Sequence, residues 1–372
     1  MAKHLVLVGA GHAHLPIIFS AGNFTQAGHH VTLISPSPFL YYSGMGPGLF
    51  SGRYSPQQSR FHVKKMAEDR RANVVIDSVV RVHADQRTLV TASGEEIAYD
   101  IVSFNVGSQV PSEQVGEAEQ NIFPVKPIEN LLQARRRLLQ WKEQELRLLV
   151  AGGGPAGFEI ACNLSVLCPK EGLKARITLV AGNALLPQLP EKGLRIANQV
   201  LGEHRIRLLE GPFVTRIEQA HAHLDSGESL PFDMLFLAVG IRPSPLFRTS
   251  NLATGADGGL LVNRFLQSVE YPSIFGAGDC IFFEPRPLDK VGVYAVREGP
   301  VLQDNLMAAL EGRELKPFRP QKNYLLIFNL GGGRGLFWRK NWIWDGRSAF
   351  SLKEYLDKRF MKRYQVSGEL EE

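Results

Sequence analysis

The chain has 372 residues, a hydrophobic fraction of 44% and a formal net charge of +5. That length suits two domains with a short extra segment, and the composition is that of a globular protein, not a disordered one. No run of about 18 apolar residues occurs, so no helix is expected to span a bilayer. Three scattered cysteines (Cys162, Cys168, Cys280) argue against a disulfide framework and for a reducing cytoplasm.

Met1–Lys3 lead directly into the apolar run His4–Val8, and a cleaved signal would remove the turn that follows, so none is expected. The run ends in Gly9-Ala10-Gly11, and a second strand is predicted over Val31–Ile34. Together they read as a βαβ unit from His4 to Ser35. A strand feeding a glycine turn and then a helix gathers bare main-chain N–H groups at one point, which suits a pyrophosphate. Residues 36–60 are rich in Pro, Gly, Ser and Tyr and read as a structured loop. Asn73–Ile76, Ser78–His83 and Thr88–Thr91 read as a β-meander with Gly94 at a turn, and Tyr99–Gly107 as a buried strand returning to the sheet.

The pattern then repeats. A helix over Asn130–Glu145 leads to the strand Leu146–Ala151 and the turn Gly152-Gly153-Gly154-Pro155-Ala156-Gly157. Arg176–Val180 closes the unit; Ile206–Leu209, Val214–Gln219 and His221–Asp225 form a second meander; Phe232–Gly240 returns. Tyr99-Asp100 with Gly107 matches Phe232-Asp233 with Gly240, and this repeat is stronger evidence than either glycine turn. A third turn, Gly276-Ala277-Gly278-Asp279, precedes a helix over Pro300–Leu310, short strands near Tyr324–Asn329 and Leu336–Trp338, and a last helix over Leu352–Tyr364. The predicted fold is α/β. It has two Rossmann-like domains, each a parallel sheet plus a β-meander: 1–112 with 258–320, and 113–257. Residues 321–372 form a C-terminal segment. Two such turns and a late Gly-Asp predict a chain that holds two dinucleotides, one of them flavin.

Between Arg334 and Arg363 nine basic residues face three acids, an excess of +6. Leu352, Tyr355, Leu356, Phe360 and Tyr364 fall on one helical face, preceded by Trp338, Trp342, Trp344 and Phe350. This segment is expected either to lie on an anionic membrane surface or to dock on the core or at a homodimer interface. No recognition motif accompanies the charge, so nucleic acid is not an expected partner. Nothing in the spacing of His12, His14 or the cysteines suits a metal. Cys162 and Cys168, six residues apart on one predicted helix, are not a redox pair either.

Gly11-His12-Ala13-His14, Tyr42-Ser43-Gly44-Met45-Gly46-Pro47-Gly48, Val291-Gly292-Val293-Tyr294-Ala295-Val296-Arg297 and Arg359-Phe360-Met361 carry a resemblance. The chain resembles the two-dinucleotide-binding-domain flavoproteins of the pyridine nucleotide-disulfide oxidoreductase superfamily. Within them it is similar to the branch of type II NADH dehydrogenases and sulfide:quinone oxidoreductases, and to a group found alone or fused ahead of selenide, water dikinase. The resemblance implies FAD in the first domain, with Gly9, Gly11, His12, Ala13, Ser35, Val79, Gly107, Gly278, Asp279, Tyr294 and Ala295 as its contacts. Asp279 would take the ribityl chain. Gly152, Gly154 and Gly157 would hold NADH or NADPH, with Glu159 near the meeting of nicotinamide and flavin and Lys290 near the flavin ring's N1 side.

Three departures matter. His14 replaces the third glycine of the first turn, where it must crowd the packing or turn outward. Ser35 and Ala181 stand where an acid would bind a ribose. The paired cysteines of the disulfide reductases are absent, so electrons would leave the flavin directly. The implied activity is transfer from NAD(P)H through FAD to a quinone-like acceptor, in the cytoplasm or on the inner membrane face. The alternatives are a flavoprotein acting on sulfur or selenium compounds, and a flavin-binding interaction module with a degenerate second site.

Overall fold

The computed structural model describes residues 1–111, 121–142 and 145–370. Its frame is two five-stranded parallel sheets that share the order of four strands and differ in one edge strand, which comes last along the chain in the first sheet and first in the second. In the first, Ile274–Gly276, Ile101–Phe104, His4–Val8, His30–Ser35 and Asn73–Ile76 lie side by side. In the second, the order is Ile122–Pro124, Met234–Leu237, Leu146–Ala151, Ala175–Gly182 and Arg207–Glu210. Past their first residues the central strands are apolar and buried, Leu5–Val8 and Leu148–Ala151, as strands covered on both faces must be.

The repeat holds at the level of single bonds. The Asp100 carboxylate accepts the N–H of His4 at 2.6 Å, and Asp233 accepts that of Arg147 at 2.6 Å. Each aspartate ties the return strand to the start of its sheet's central strand. Gly9 donates to Ile34 and Gly152 to Val180, both at 2.8 Å, so both glycine turns leave their sheets at the same place.

Several expectations are corrected. Asn73–Ile76 and Arg207–Glu210 complete the parallel sheets instead of opening the meanders. The meanders are Val79–His83, Thr88–Thr91, Glu96–Ala98 and Val214–Glu218, His221–Leu224, Ser229–Pro231. Short apolar runs carry no signal for which sheet they join. The edge strand Ile122–Pro124 was not expected. The helix expected over Asn130–Glu145 is Glu129–Leu139. Residues 143–144, within that expectation, and the boundary at 112/113 lie outside the described residues. The helix expected from Pro300 begins a full two turns earlier, spanning Gly292–Glu311, with Pro300 inside it.

At the C-terminus Leu326–Asn329, Gly335–Arg339 and Trp342–Gly346 form an antiparallel sheet, and the helix Arg347–Tyr364 follows. The helix docks through Phe350, Lys353, Asp357, Phe360, Met361 and Tyr364, whose spacing is one helical stripe. The expected face is therefore split. Phe360 and Tyr364 pack with Phe61 and Tyr42, whereas Tyr355 and Leu356 are exposed at 60% and 38%. Two charged residues in the docked stripe hid it: Lys353 donates to Asp357 at 2.6 Å and to the Gly44 carbonyl at 2.5 Å.

Candidate active site: two adjoining cavities

The first glycine turn is tightened by one residue absent from the expected set. Gly11 donates to the Asn105 carbonyl at 3.2 Å, and Ala13 to Asn105 Oδ1 at 3.0 Å. Asn105 Nδ2 donates to the Ala277 carbonyl at 2.5 Å, which draws the Gly-Asp turn to the same spot. Gly9 has φ +83°, and a Cβ there would meet the Asn105 oxygen at 2.5 Å. No other residue fits. With Gly11 and Ala13 bonded to Asn105, the N–H groups of Ala10 and His12 have no partner among the described residues.

His14 neither crowds the helix nor turns outward. It is buried, with Nδ1 at 2.6 Å from the Gly9 carbonyl and Nε2 at 2.9 Å from Ser103 Oγ, and burial pushes its pKa down to about 4. It cross-links turn to strand as a neutral ring. His12 is half-buried, and the protein packed around its ring lowers its pKa to about 4, against Asp279 and with Lys126. Its Nε2 has no partner among the described residues, a costly state for a buried polar atom.

His12 lines a cavity of about 440 Å³ with Gly9, Gly11, Ser35, Val79, Gly107, Asp279 and Ala295. The Ser35 hydroxyl is spent on the Ser37 carbonyl at 2.9 Å. Asp279 accepts from Lys126 at 2.7 Å and from Ser108 at 2.9 Å. Burial raises its pKa, but Lys126 and these bonds outweigh that and hold it below the usual carboxylate range. Gly278, at φ +72°, donates to Glu298 at 2.5 Å; burial pushes Glu298 up to about 7. Tyr294 lies in the first turn of its helix, outside this lining, with its ring 5.6 Å from that of Tyr324.

The second turn opens on a cavity of about 1040 Å³. Gly152 has φ +124°, and a Cβ on Gly157 would meet the Gly152 oxygen at 1.9 Å, so Gly157 lets helix and strand close together. Nothing lies within 4 Å of a Cβ built on Gly154, so its backbone faces open space. Glu159 lines this cavity and accepts the Asn329 N–H at 2.6 Å. Protein packed around its carboxyl raises its pKa to about 7, against Lys353 and the Asn329 bond. Lys290 lines it too, held by Asp257 at 2.8 Å and by the Ile281 carbonyl.

Ser43, Lys126 and Ile128 line both cavities, which therefore adjoin. Cys162, Cys168 and Cys280 line neither, are buried, and have pKa values raised by burial, to about 12 for Cys168 and Cys280. They supply no thiolate. Among the described residues no cluster suits a metal and no helix is long and apolar enough to cross a membrane. The open N–H groups, the orphaned His12 nitrogen and the clear space at Gly154 fit two dinucleotides, a flavin at the first turn and a nicotinamide nucleotide at the second.

Sequence reasoning missed Asn105, Ser108, Lys126 and Glu298. Asn105 was visible as the polar residue just after a buried strand, two positions before Gly107; the others carry no local signal.

The chain is 26% identical over 306 residues to ferroptosis suppressor protein 1 of Taeniopygia guttata, covering 78% of each chain. It is 26% identical over 239 residues to the demethylphylloquinone reductase of a Synechocystis strain, covering 61% of this chain and 58% of that protein. Its fold matches that of NDH2 from Plasmodium falciparum in complex with NADH, with TM-score 0.78, 14% identity and coverage of 98% and 99%. The sequence pattern of one family matches residues 3–301, and the chain belongs to that family, the pyridine nucleotide-disulphide oxidoreductases.

Proposed function

We propose that the chain is an FAD-dependent NAD(P)H dehydrogenase with a quinone-like acceptor. The observation that carries this is the pair of adjoining cavities, each built on a glycine turn and meeting at Ser43, Lys126 and Ile128. The acceptor is supported by a relative named for the reduction of demethylphylloquinone. In this reading residues 1–112 with 258–320 are the flavin unit, 113–257 the nicotinamide unit and 321–372 the C-terminal segment.

Bound FAD supplies two-electron chemistry between a nicotinamide and a quinone. The protein's part is to bind, orient and exclude water. Gly9, Gly11 and Ala13 shape the first turn so that the open main-chain N–H groups of Ala10 and His12 face the flavin pyrophosphate, and Asp279, kept ionised by Lys126, accepts ribityl hydroxyls. Ser35 and Val79 border the adenosine end; Gly107 and Ala295 border the ring end, with Gly278 and Tyr294 lying behind that lining. Gly152, Gly154 and Gly157 take the second pyrophosphate. Glu159 can hold or release a proton near neutral pH beside the nicotinamide. Lys290 brings a cation whose charge Asp257 partly offsets.

The C-terminal segment carries the membrane face of this reading. Trp342 is 73% exposed, and Tyr355 and Leu356 are exposed beside the outward Arg339, Lys340, Lys358, Arg359 and Lys362. Aromatic and basic side chains together suit an anionic lipid surface. The test of the reading is anaerobic mixing of the yellow protein with NADH or NADPH, then with a soluble quinone. Bleaching followed by recovery of the flavin band supports it; a flavin that neither nucleotide reduces overturns it.

A further inference from the structure

Phe213 stands at the second cavity without a core role. It sits in the turn between Arg207–Glu210 and Val214–Glu218, is 46% exposed and lines the cavity. Its ring lies against Gly182, where a Cβ would meet Phe213 Cε1 at 2.7 Å. Gly182 ends the strand Ala175–Gly182 with φ +66°. In a doubly wound sheet the adenosine end of a dinucleotide lies over the end of this second strand.

The charges around the cavity are distributed unevenly. Among the described residues its charged lining consists of Lys126, Glu159, Asp289 and Lys290. None of these belongs to 180–184 or 213–215, where Ala181, Gly182, Asn183 and Thr215 flank Phe213. A carboxylate at this place selects a 2′-hydroxyl, and an arginine accommodates a 2′-phosphate. Glu210, at the end of the neighbouring strand, accepts the Leu185 N–H at 2.7 Å and is not part of the lining. What this end offers instead is an aromatic face, which suits the flat adenine of either nucleotide.

We propose that the site holds its pyridine nucleotide without reading the 2′ position: Phe213 takes the adenine by its face, and NADH and NADPH are used alike. This rests on the NAD(P)H reading above and deepens it.

The experiment compares kcat and KM for NADH, NADPH and reduced nicotinamide mononucleotide, which lacks the adenosine. The two dinucleotides should agree in kcat/KM within about threefold. Phe213→Ala should raise KM for both by about tenfold, with kcat and use of the mononucleotide unchanged. Ala181→Glu should shift the NADH to NADPH ratio about tenfold or more towards NADH. A wild-type preference above about tenfold overturns the proposal. So does a Phe213→Ala variant that loses mononucleotide use in parallel, which would mark Phe213 as structural. Calorimetric titration with NAD+, NADP+ and nicotinamide mononucleotide makes the same comparison without turnover. Equal binding of both dinucleotides with no flavin reduction would count against the function and leave the site assignment standing.

Discussion

Lys126 Nζ lies 2.7 Å from Asp279 Oδ2, and the two residues come from different halves of the repeat. Lys126 follows the edge strand of the second sheet; Asp279 follows the edge strand of the first. The pair stands where the cavities adjoin, so one ion pair both lines the first cavity and fastens the halves. The Asp279 side chain is 12% exposed, too little for water to replace its partner.

Lys126→Met leaves that carboxylate buried and unpaired. The variant should lose about 2–3 kcal/mol of stability and bind FAD about tenfold or more weakly. The folded pKa of Asp279 is depressed, so the stabilisation is present above the ordinary carboxylate range and is lost as pH falls through the folded value. Thermal melts of wild type and Lys126→Met should therefore converge in acid. Melts that differ equally at all pH values would contradict the pairing.

Glu298 gives the opposite sign. Its folded pKa is raised to about 7 by burial. Its contribution is full below the ordinary glutamate pKa and is lost as pH rises through about 7. Glu298→Gln keeps an acceptor for the Gly278 N–H and removes the titration. It should raise the melting temperature at pH ~8 relative to wild type, by up to about 3 kcal/mol of stability, and do little at pH ~5.

Glu159 is shifted to the same range, pushed up to about 7 by burial where it lines the second cavity. The rate of flavin reduction by NAD(P)H should show a limb near that pH, and Glu159→Gln should flatten it. An unchanged profile in the variant removes Glu159 from the reaction.

Gly157→Ala separates the two sites. Its Cβ would lie 1.9 Å from the Gly152 oxygen, which forces the second turn open. The purified variant should stay yellow, keep FAD, and show a KM for NAD(P)H raised about tenfold or more.

Much of the fold was legible because the chain states it twice. The aspartates Asp100 and Asp233 do the same work at the start of each sheet, and so their spacing repeats. What local pattern could not show was partnership across the chain. Asn73–Ile76 looks like any short strand until the sheet is assembled. His14 looked like a packing fault because its bond to Ser103 spans 89 residues. The Lys353–Asp357 pair disguised a buried helical face as a solvated one, and with it the split between docked and exposed aromatics.

Those exposed aromatics make a separable claim. Replacing Trp342, Tyr355 and Leu356 by serine should abolish sedimentation with anionic vesicles while leaving reduction of a water-soluble quinone intact. Wild-type binding should weaken with salt, since basic side chains contribute. Equal sedimentation of both forms would place the membrane contact elsewhere.

The most direct measurement is an anaerobic titration of the purified protein, followed through the flavin absorption band. About one equivalent of NADH or NADPH should bleach the band, and a soluble quinone should restore it with no thiol reagent affecting either step. A colourless protein that FAD does not reconstitute, or a yellow one that neither nucleotide bleaches, would contradict the account.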